Sequence, residues 1–106
     1  MICRMWHGWT TRESADAYEA VVRGEVIPGI EAQRIAGFRH IDLMRCERDA
    51  EVEFVTVMWF DDLESIKAFT GDDYTISHVP AAAQAVLARY DQRAAHYTVI
   101  DRRPQQ

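Results

Sequence analysis

The chain has 106 residues, enough for one domain with a single hydrophobic core but not for two. It is 48% hydrophobic and 27% charged, and its formal net charge is −5. This composition is typical of a soluble globular protein, and the acidic balance without a basic stripe argues against nucleic acid or an anionic membrane as a partner.

The two cysteines, Cys3 and Cys46, are too few for a disulfide scaffold and lack the spacing of a metal site. No apolar run approaches the roughly 20 residues of a membrane helix, and the first residues lack the pattern of a secretory signal. We therefore expect a cytoplasmic protein with reduced thiols. It would form one domain over residues 1–101, followed by a frayed tail over residues 102–106.

The first part of the chain predicts a strand followed by a helix. Residues 2–9 are rich in bulky side chains, which favours a strand. Thr10 and Glu13 have the spacing of a capping box and predict that a helix begins directly after Thr10. Apolar residues then recur at helical spacing, and the pair Pro28-Gly29 predicts that this helix stops or kinks there.

The middle of the chain predicts a hairpin and a second helix. Strands are expected from Phe38 to about Cys46 and over residues 52–60, joined by a polar loop. Asp61-Asp62 then provides an N-cap, and Gly71 provides a C-cap for the helix between them.

The last part predicts a third helix and a final strand. Pro80 suits the first position of a helix that would run to about Gln92. A strand over residues 95–101 would complete the domain. The resulting order, β-α-β-β-α-β, is that of the split βαβ, ferredoxin-like fold: an antiparallel α+β sheet with its helices on one face.

The third strand is apolar on both of its faces. One face carries Val52, Phe54, Met58 and Phe60, and the other carries Val55, Val57 and Trp59. A sheet of this kind normally leaves its second face to water, and each large apolar side chain left exposed forgoes roughly 1.5–3 kcal/mol. Because the chain has no further element to cover the second face, we predict a homodimer in which two sheets pack against each other.

The sequence resembles the antibiotic biosynthesis monooxygenase-like proteins of the dimeric α+β barrel superfamily. The resemblance runs along nearly the whole chain, and its marks are Trp6-His7-Gly8, Thr10, Pro28-Gly29, Gly37, Glu53-Phe54, Trp59, Ile66, Ala68-Phe69, Gly71, Pro80, Leu87 and His96-Tyr97-Thr98-Val99. It implies a dimeric α+β barrel in which each protomer keeps its own pocket between sheet and helices. It also implies a cofactor-independent monooxygenase that acts on a small, electron-rich aromatic or polyketide-type molecule.

Cofactor-free oxygenation needs a dry pocket, a base, and donors for the developing oxyanion. Histidine is the natural base near neutral pH. His78, in a loop before Pro80, is the first candidate for the catalytic base, and the alternative is a surface histidine that caps the next helix. His40 is the second candidate, since Asp42 lies two residues away on the same face; a solvated polar row explains this pair equally well.

Further residues are candidates for substrate binding. His7 and His96 lie on the first and last strands, which are neighbours in this fold, and both are expected to bind substrate if they face the pocket. Trp59, Phe69 and Tyr74 would supply aromatic walls or a hydroxyl donor. The alternative for each of these residues is core, loop or interface packing.

Two other functions stay open. The spacing from Trp59 to His78 resembles that of heme-degrading relatives, so His78 is also a candidate heme ligand. Those enzymes use an asparagine on the first strand and a tryptophan on the helix near Ala68-Phe69, whereas this chain contains no asparagine and has no tryptophan at that place. The third possibility is a non-redox dimer of the same fold that binds or isomerises a small molecule. No metal ligands are predicted.

Overall fold

A computed structural model describes residues 1–106 and consists of a five-stranded antiparallel sheet with the helices packed on one face. The strands are β1 (Ile2–Thr11), β2 (Phe38–Glu47), β3 (Glu51–Phe60), β4 (Arg89–Tyr90) and β5 (Ala95–Thr98). Their order is β2-β3-β1-β4, and β5 pairs with β1 on the same edge as β4. This is the ferredoxin-like α+β sheet that the sequence predicts.

The first helical segment changes its winding before the proline. It consists of α1 (Ala15–Val21), a π-helical turn (Val22–Val26) and α2 (Ile27–Ala32). Pro28 lies in the first turn of α2, directly after the π-helical turn, where the altered winding accommodates a residue without an N–H. The predicted interruption therefore exists, but it takes the form of a wide turn just before Pro28. No helix in the structure combines the length and the apolar character needed to span a bilayer.

The helix after β3 is bounded as its capping residues predict. Helix α3 (Leu63–Thr70) begins after Asp62, whose carboxylate accepts a hydrogen bond from the Ser65 N–H at 2.9 Å. It ends at Gly71, which has φ of +88°. Gly37 has φ of +85°, and a Cβ there would overlap the Ser65 side chain, so glycine is required where β2 begins.

The predicted capping box at Thr10 is wrong. Strand β1 continues to Thr11 because Thr10 pairs with Val52 in the ladder with β3. The Thr10 hydroxyl is buried without a hydrogen-bond partner, and the N-cap residue of α1 is Ser14, whose side chain makes no capping bond. Pairing with β3 therefore overrides the local capping signal at Thr10.

The predicted helix from Pro80 to Gln92 is also wrong. Helix α4 (Ala81–Gln84) is a single turn that begins after Pro80, and the chain then returns to the sheet as β4. The N–H groups of Ala88 and Asp91 donate to the carbonyls of Trp9 and His7 on β1, at 2.8 and 2.9 Å. These long-range bonds satisfy an open sheet edge, and they override a local helix propensity. The final strand ends at Thr98, three residues before its predicted end.

Two hydrophobic clusters attach the helices to the sheet. One joins α1 and α4 to β3, and its buried residues are Ala15, Tyr18, Val22, Val52, Phe54 and Ala83. The other joins α3 to the opposite end of β3 through Met58, Phe60 and Ile66. The side of β3 that carries Val52, Phe54, Met58 and Phe60 is therefore the helix side, as the sequence predicts.

The other side of the sheet, the open face, carries no helix. Val57 is only 3% exposed within one protomer, whereas Val55 and Trp59 are half-buried. On the flanking strands, Met44 is 48% exposed and Tyr97 is 55% exposed. The open face thus retains uncovered apolar side chains, although Val57 is already shielded.

Candidate functional site

A cleft opens between the sheet and the helices, where the two hydrophobic clusters meet. Fifteen residues line it, eleven of them hydrophobic. Its empty volume is about 620 Å³, a figure that includes open solvent at the mouth, and only about 80 Å³ admits the centre of a water molecule. The cleft is therefore narrow, and its mostly hydrophobic lining suits an apolar ligand.

Strand alternation supplies the floor of the cleft. Arg4 and Trp6 of β1 point to the helix side, because they pair with Met58 and Thr56 of β3. Ile41 of β2 completes this floor. The roof comes from the first helical segment, which contributes Tyr18, Val22, Val26, Ile27 and Ile30. Two of these residues lie in the π-helical turn, a feature that often marks functional sites.

Arg4 is the one charged residue among the fifteen that line the cleft. It is only 5% exposed, and no carboxylate lies within 4 Å of its guanidinium. Its partners are neutral: Nη1 donates to the Tyr74 carbonyl, and Nη2 donates to the Ile76 carbonyl at 3.0 Å. Burial lowers the pKa of Arg4 to about 10, so the side chain remains a cation at neutral pH. An unpaired buried cation costs free energy that the fold must supply elsewhere.

The guanidinium of Arg4 also determines the state of His96. The Arg4 Nη1 and His96 Nε2 atoms lie 3.1 Å apart. Since arginine can only donate, Nε2 must accept, and the proton of the neutral ring is on Nδ1. Burial, together with the charge of Arg4, lowers the pKa of His96. His96 is therefore held as a neutral imidazole beside the buried cation.

Tyr18 presents a second polar group at the cleft. Its side chain is 2% exposed, and its ring packs edge-on against Phe54 with the centroids 4.8 Å apart. Burial raises the pKa of Tyr18 to about 12, so the phenol stays protonated. The hydroxyl makes no hydrogen bond within the protein, although buried tyrosine hydroxyls usually find a partner. It is thus a free donor at the edge of an apolar space.

The loop that carries His78 is tied to β1. Arg4 holds its carbonyls at Tyr74 and Ile76, as described above. The indole Nε1 of Trp6 donates to the Ser77 hydroxyl at 3.0 Å and to the Asp91 carbonyl at 2.9 Å. Two inward side chains of β1 therefore position the residue that follows, His78.

His78 lies at the mouth of the cleft and lines it, although the residue is exposed. Its Nε2 lies 3.2 Å from the Thr70 carbonyl, and its ring packs edge-on against Phe69 at 6.3 Å. A carbonyl can only accept, so Nε2 carries the proton in this contact. In a neutral ring, Nδ1 is then left as a proton acceptor.

The other predicted site residues divide between the two sides of the sheet. Phe69 lines the cleft together with His78. His96 and Tyr74 lie on the helix side behind Arg4, with their rings 5.1 Å apart, and neither contributes to the lining.

The remaining three predicted residues, His7, His40 and Trp59, lie on the open face. His7 contacts Asp91 through Nδ1 at 2.9 Å, so it does not share a pocket with His96. His40 is exposed and pairs with Trp59, and the Trp59 indole donates to Asp42 at 3.0 Å. The sheet separates all three from the cleft.

The cleft beside His78 fits a heme poorly, because it would have to widen greatly to admit a macrocycle. The Nε2 of His78 faces the Thr70 carbonyl, so only its free Nδ1 would be left to ligate an iron atom. No group of three or more His, Cys, Asp or Glu side chains comes together as a metal site.

The sequence did not predict that Arg4 and Tyr18 belong to the cleft. Arg4 stands between Ile2 and Trp6 on the inward row of β1, so strand alternation does signal a buried charge there. Tyr18 belongs to the apolar face of α1, and nothing in the sequence pattern distinguishes a tyrosine with a free hydroxyl from an ordinary core tyrosine.

Comparison with known proteins identifies the fold. No family model matches the chain, and no curated protein matches it. Solved structures do. A candidate antibiotic biosynthesis monooxygenase from Bacillus cereus has a TM-score of 0.68 at 14% identity, with 98% of this chain and 97% of that one covered.

Two further structures are similar. Rv0793 from Mycobacterium tuberculosis has a TM-score of 0.60 at 14% identity, with coverage of 95% and 96%. SnoaB, a cofactor-independent oxygenase from Streptomyces nogalater, has a TM-score of 0.60 at 16% identity, with 98% of each chain covered. At such identities the likeness establishes that the chain shares the fold of these three structures, and it leaves the reaction to the site.

Proposed function

We propose that this protein is a cofactor-independent monooxygenase for a small, electron-rich aromatic or polyketide-type molecule. One observation carries the proposal: a narrow apolar cleft, with a single histidine at its mouth that keeps a free proton-accepting nitrogen. The fold shared with a cofactor-independent oxygenase supports the same chemistry.

In the proposed reaction, His78 removes a proton from a phenol or from an activated ring CH₂ group of the substrate. The resulting anion passes electrons to O₂, a carbon–oxygen bond forms, and loss of water leaves a carbonyl. A CH₂ group and O₂ thus become C=O and H₂O, and O₂ is the oxidant. The apolar walls exclude bulk water, and the Tyr18 hydroxyl is available to donate to a substrate oxygen.

We further propose that the working unit is a homodimer joined through the open face. Met44 and Tyr97 are exposed there, and Val55 and Trp59 are half-covered. Pairing two such faces removes apolar surface from water at about 25 cal/mol per Å². The cleft lies on the helix side, so dimerisation leaves its mouth open.

Oxygen uptake with a panel of quinols and anthrones tests the proposed reaction. We expect stoichiometric O₂ consumption and the appearance of a quinone absorbance band with at least one compound. Compounds that bind tightly but consume no oxygen would contradict the proposal and indicate a non-redox binding protein. Titration with hemin is the parallel check, and a Soret shift would favour heme binding instead.

A further inference from the structure

We propose that the ligand of the cleft is a flat aromatic acid whose carboxylate pairs with Arg4. The proposal rests on the proposed function for the location of the ligand, and it adds the chemical class of that ligand. A quinol or anthrone needs no ionised acid, so the carboxylate is a separate property of the substrate.

The charge of the cleft carries the argument. Arg4 is its one charged residue, it is almost fully buried, and every partner it has in the protein is neutral. The chain as a whole carries a formal charge of −5, and most of its other arginines have a carboxylate partner. A buried cation without a counter-ion is costly, and an anionic ligand would remove that cost.

The hydrogen-bonding capacity of Arg4 is also incomplete. A guanidinium has five N–H groups. Nη1 contacts the Tyr74 carbonyl and the His96 ring, and Nη2 donates to the Ile76 carbonyl. The Nε–H and the second Nη2–H have no partner in the protein. Two N–H groups on two different nitrogens are what a carboxylate accepts in a bidentate pair.

The surroundings of Arg4 favour an acid that is attached to a ring. The guanidinium lies 5.8 Å from the centroid of the Phe69 ring, and Phe69 lines the cleft. The free Tyr18 hydroxyl offers a second donor in the same cleft. Apolar walls, one cation and the neutral hydroxyl groups of Tyr18 and Thr56 in a narrow space suit an aromatic body with a carboxylate and at least one further polar atom.

Calorimetric titration with 2-naphthoate and 2-naphthamide tests the proposal, because the two probes differ in charge but little in shape. We expect the wild-type protein to bind the carboxylate at least tenfold more tightly than the amide at pH 7. Arg4→Met should abolish this preference, and Arg4→Lys should keep part of it. Arg39→Met is the matched control, since Arg39 is exposed and pairs with Asp61. The Arg39→Met variant should prefer the carboxylate to the amide as strongly as the wild type does.

The wild-type comparison needs no variant, so a folding defect in Arg4→Met cannot obscure the result. Three results would each overturn the proposal. They are equal affinities of the wild type for the two probes, no binding of either probe, and an unchanged preference for the carboxylate in folded Arg4→Met. Because binding is measured without turnover, a carboxylate preference in a protein that consumes no oxygen would overturn the proposed reaction alone. Oxygen uptake restricted to neutral quinols, without a carboxylate preference, would overturn this inference alone.

Discussion

The guanidinium of Arg4 donates to the imidazole Nε2 of His96 across 3.1 Å, on the helix side of the β1–β5 pair. The contact joins the one charged residue of the cleft to a histidine outside its lining. It requires a neutral imidazole, because a protonated ring would have no acceptor and would place a second cation beside Arg4.

This contact predicts how stability depends on pH. The groups that face His96 are Arg4 and the ring of Tyr74, so no carboxylate compensates a charged imidazole there. Burial and the charge of Arg4 lower the pKa of His96 in the folded state. As the pH falls, His96 is therefore protonated in the unfolded chain before it is protonated in the folded protein. The contribution of His96 to the free energy of unfolding is fully present above about pH 6.5, and it is lost as the pH falls from there toward the pKa of His96 in the folded state.

His96→Gln provides the measurement, because the glutamine oxygen still accepts from Arg4 but does not titrate. Denaturant unfolding between pH 8 and pH 5 should show a steeper loss of stability in the wild type than in the variant. Carboxylates titrate in both proteins, so their contribution to the pH dependence of stability cancels when the two are compared. If the free energy of unfolding changed equally with pH in the two proteins, the folded state would not disfavour protonation of His96, and the prediction would be wrong.

His78→Ala should lower oxygenase turnover at least about tenfold, since the variant removes the proposed proton acceptor. The dimer should remain intact because His78 lies on the helix side. His40→Ala is the matched control: it also removes an exposed histidine, but one on the open face. Equal turnover in the two variants would remove His78 from the mechanism.

Met44→Glu should convert the proposed dimer into a monomer, because it places a charge within the proposed apolar interface. Met44 is already 48% exposed in one protomer, so the change should leave folding nearly unaffected. Sedimentation velocity at low micromolar concentration should give twice 12.2 kDa for the wild type and 12.2 kDa for the variant. Ile76→Glu, at an exposed loop residue, should stay dimeric. A wild-type protein that sediments as a monomer would contradict the proposed dimer and its interface.

Two glycines should respond in opposite directions to alanine. Gly29 lies in α2, and a Cβ there would meet nothing within 4 Å, so Gly29→Ala should raise the free energy of unfolding by about 0.5–1 kcal/mol. Gly37→Ala should lower it by more, because φ is +85° and the new Cβ would overlap Ser65. Chemical denaturation measures both changes. Stabilisation by Gly37→Ala would contradict the backbone geometry.

Local patterns predicted most of the fold correctly. The strand positions followed from residue type and alternation, and the limits of α3 followed from Asp62 and Gly71. The two errors, at Thr10 and in the segment after Gln84, have one cause. In both places the edge of β1 or its ladder with β3 takes backbone hydrogen bonds that local propensity assigns to a helix.

The candidate site was predicted less completely. Phe69 and His78 do line the cleft, whereas His7, His40 and Trp59 lie on the opposite face of the sheet. Residue type identified which side chains have useful chemistry. It did not determine on which face of the sheet each one lies, because that depends on the position of the helices and on the β-bulge at the start of β2.

The amino-acid sequence by itself determined the order of strands and helices that is typical of an antiparallel α+β sheet, and a third strand that is apolar on both faces, since both can be read from short stretches of the chain. Only the tertiary structure decided that Arg4 is buried without a counter-ion, that His96 accepts from it, and that Tyr18 keeps a free hydroxyl. These properties depend on groups up to 92 residues apart, whose mutual distances are determined only when the sheet, the helices and the His78 loop pack together.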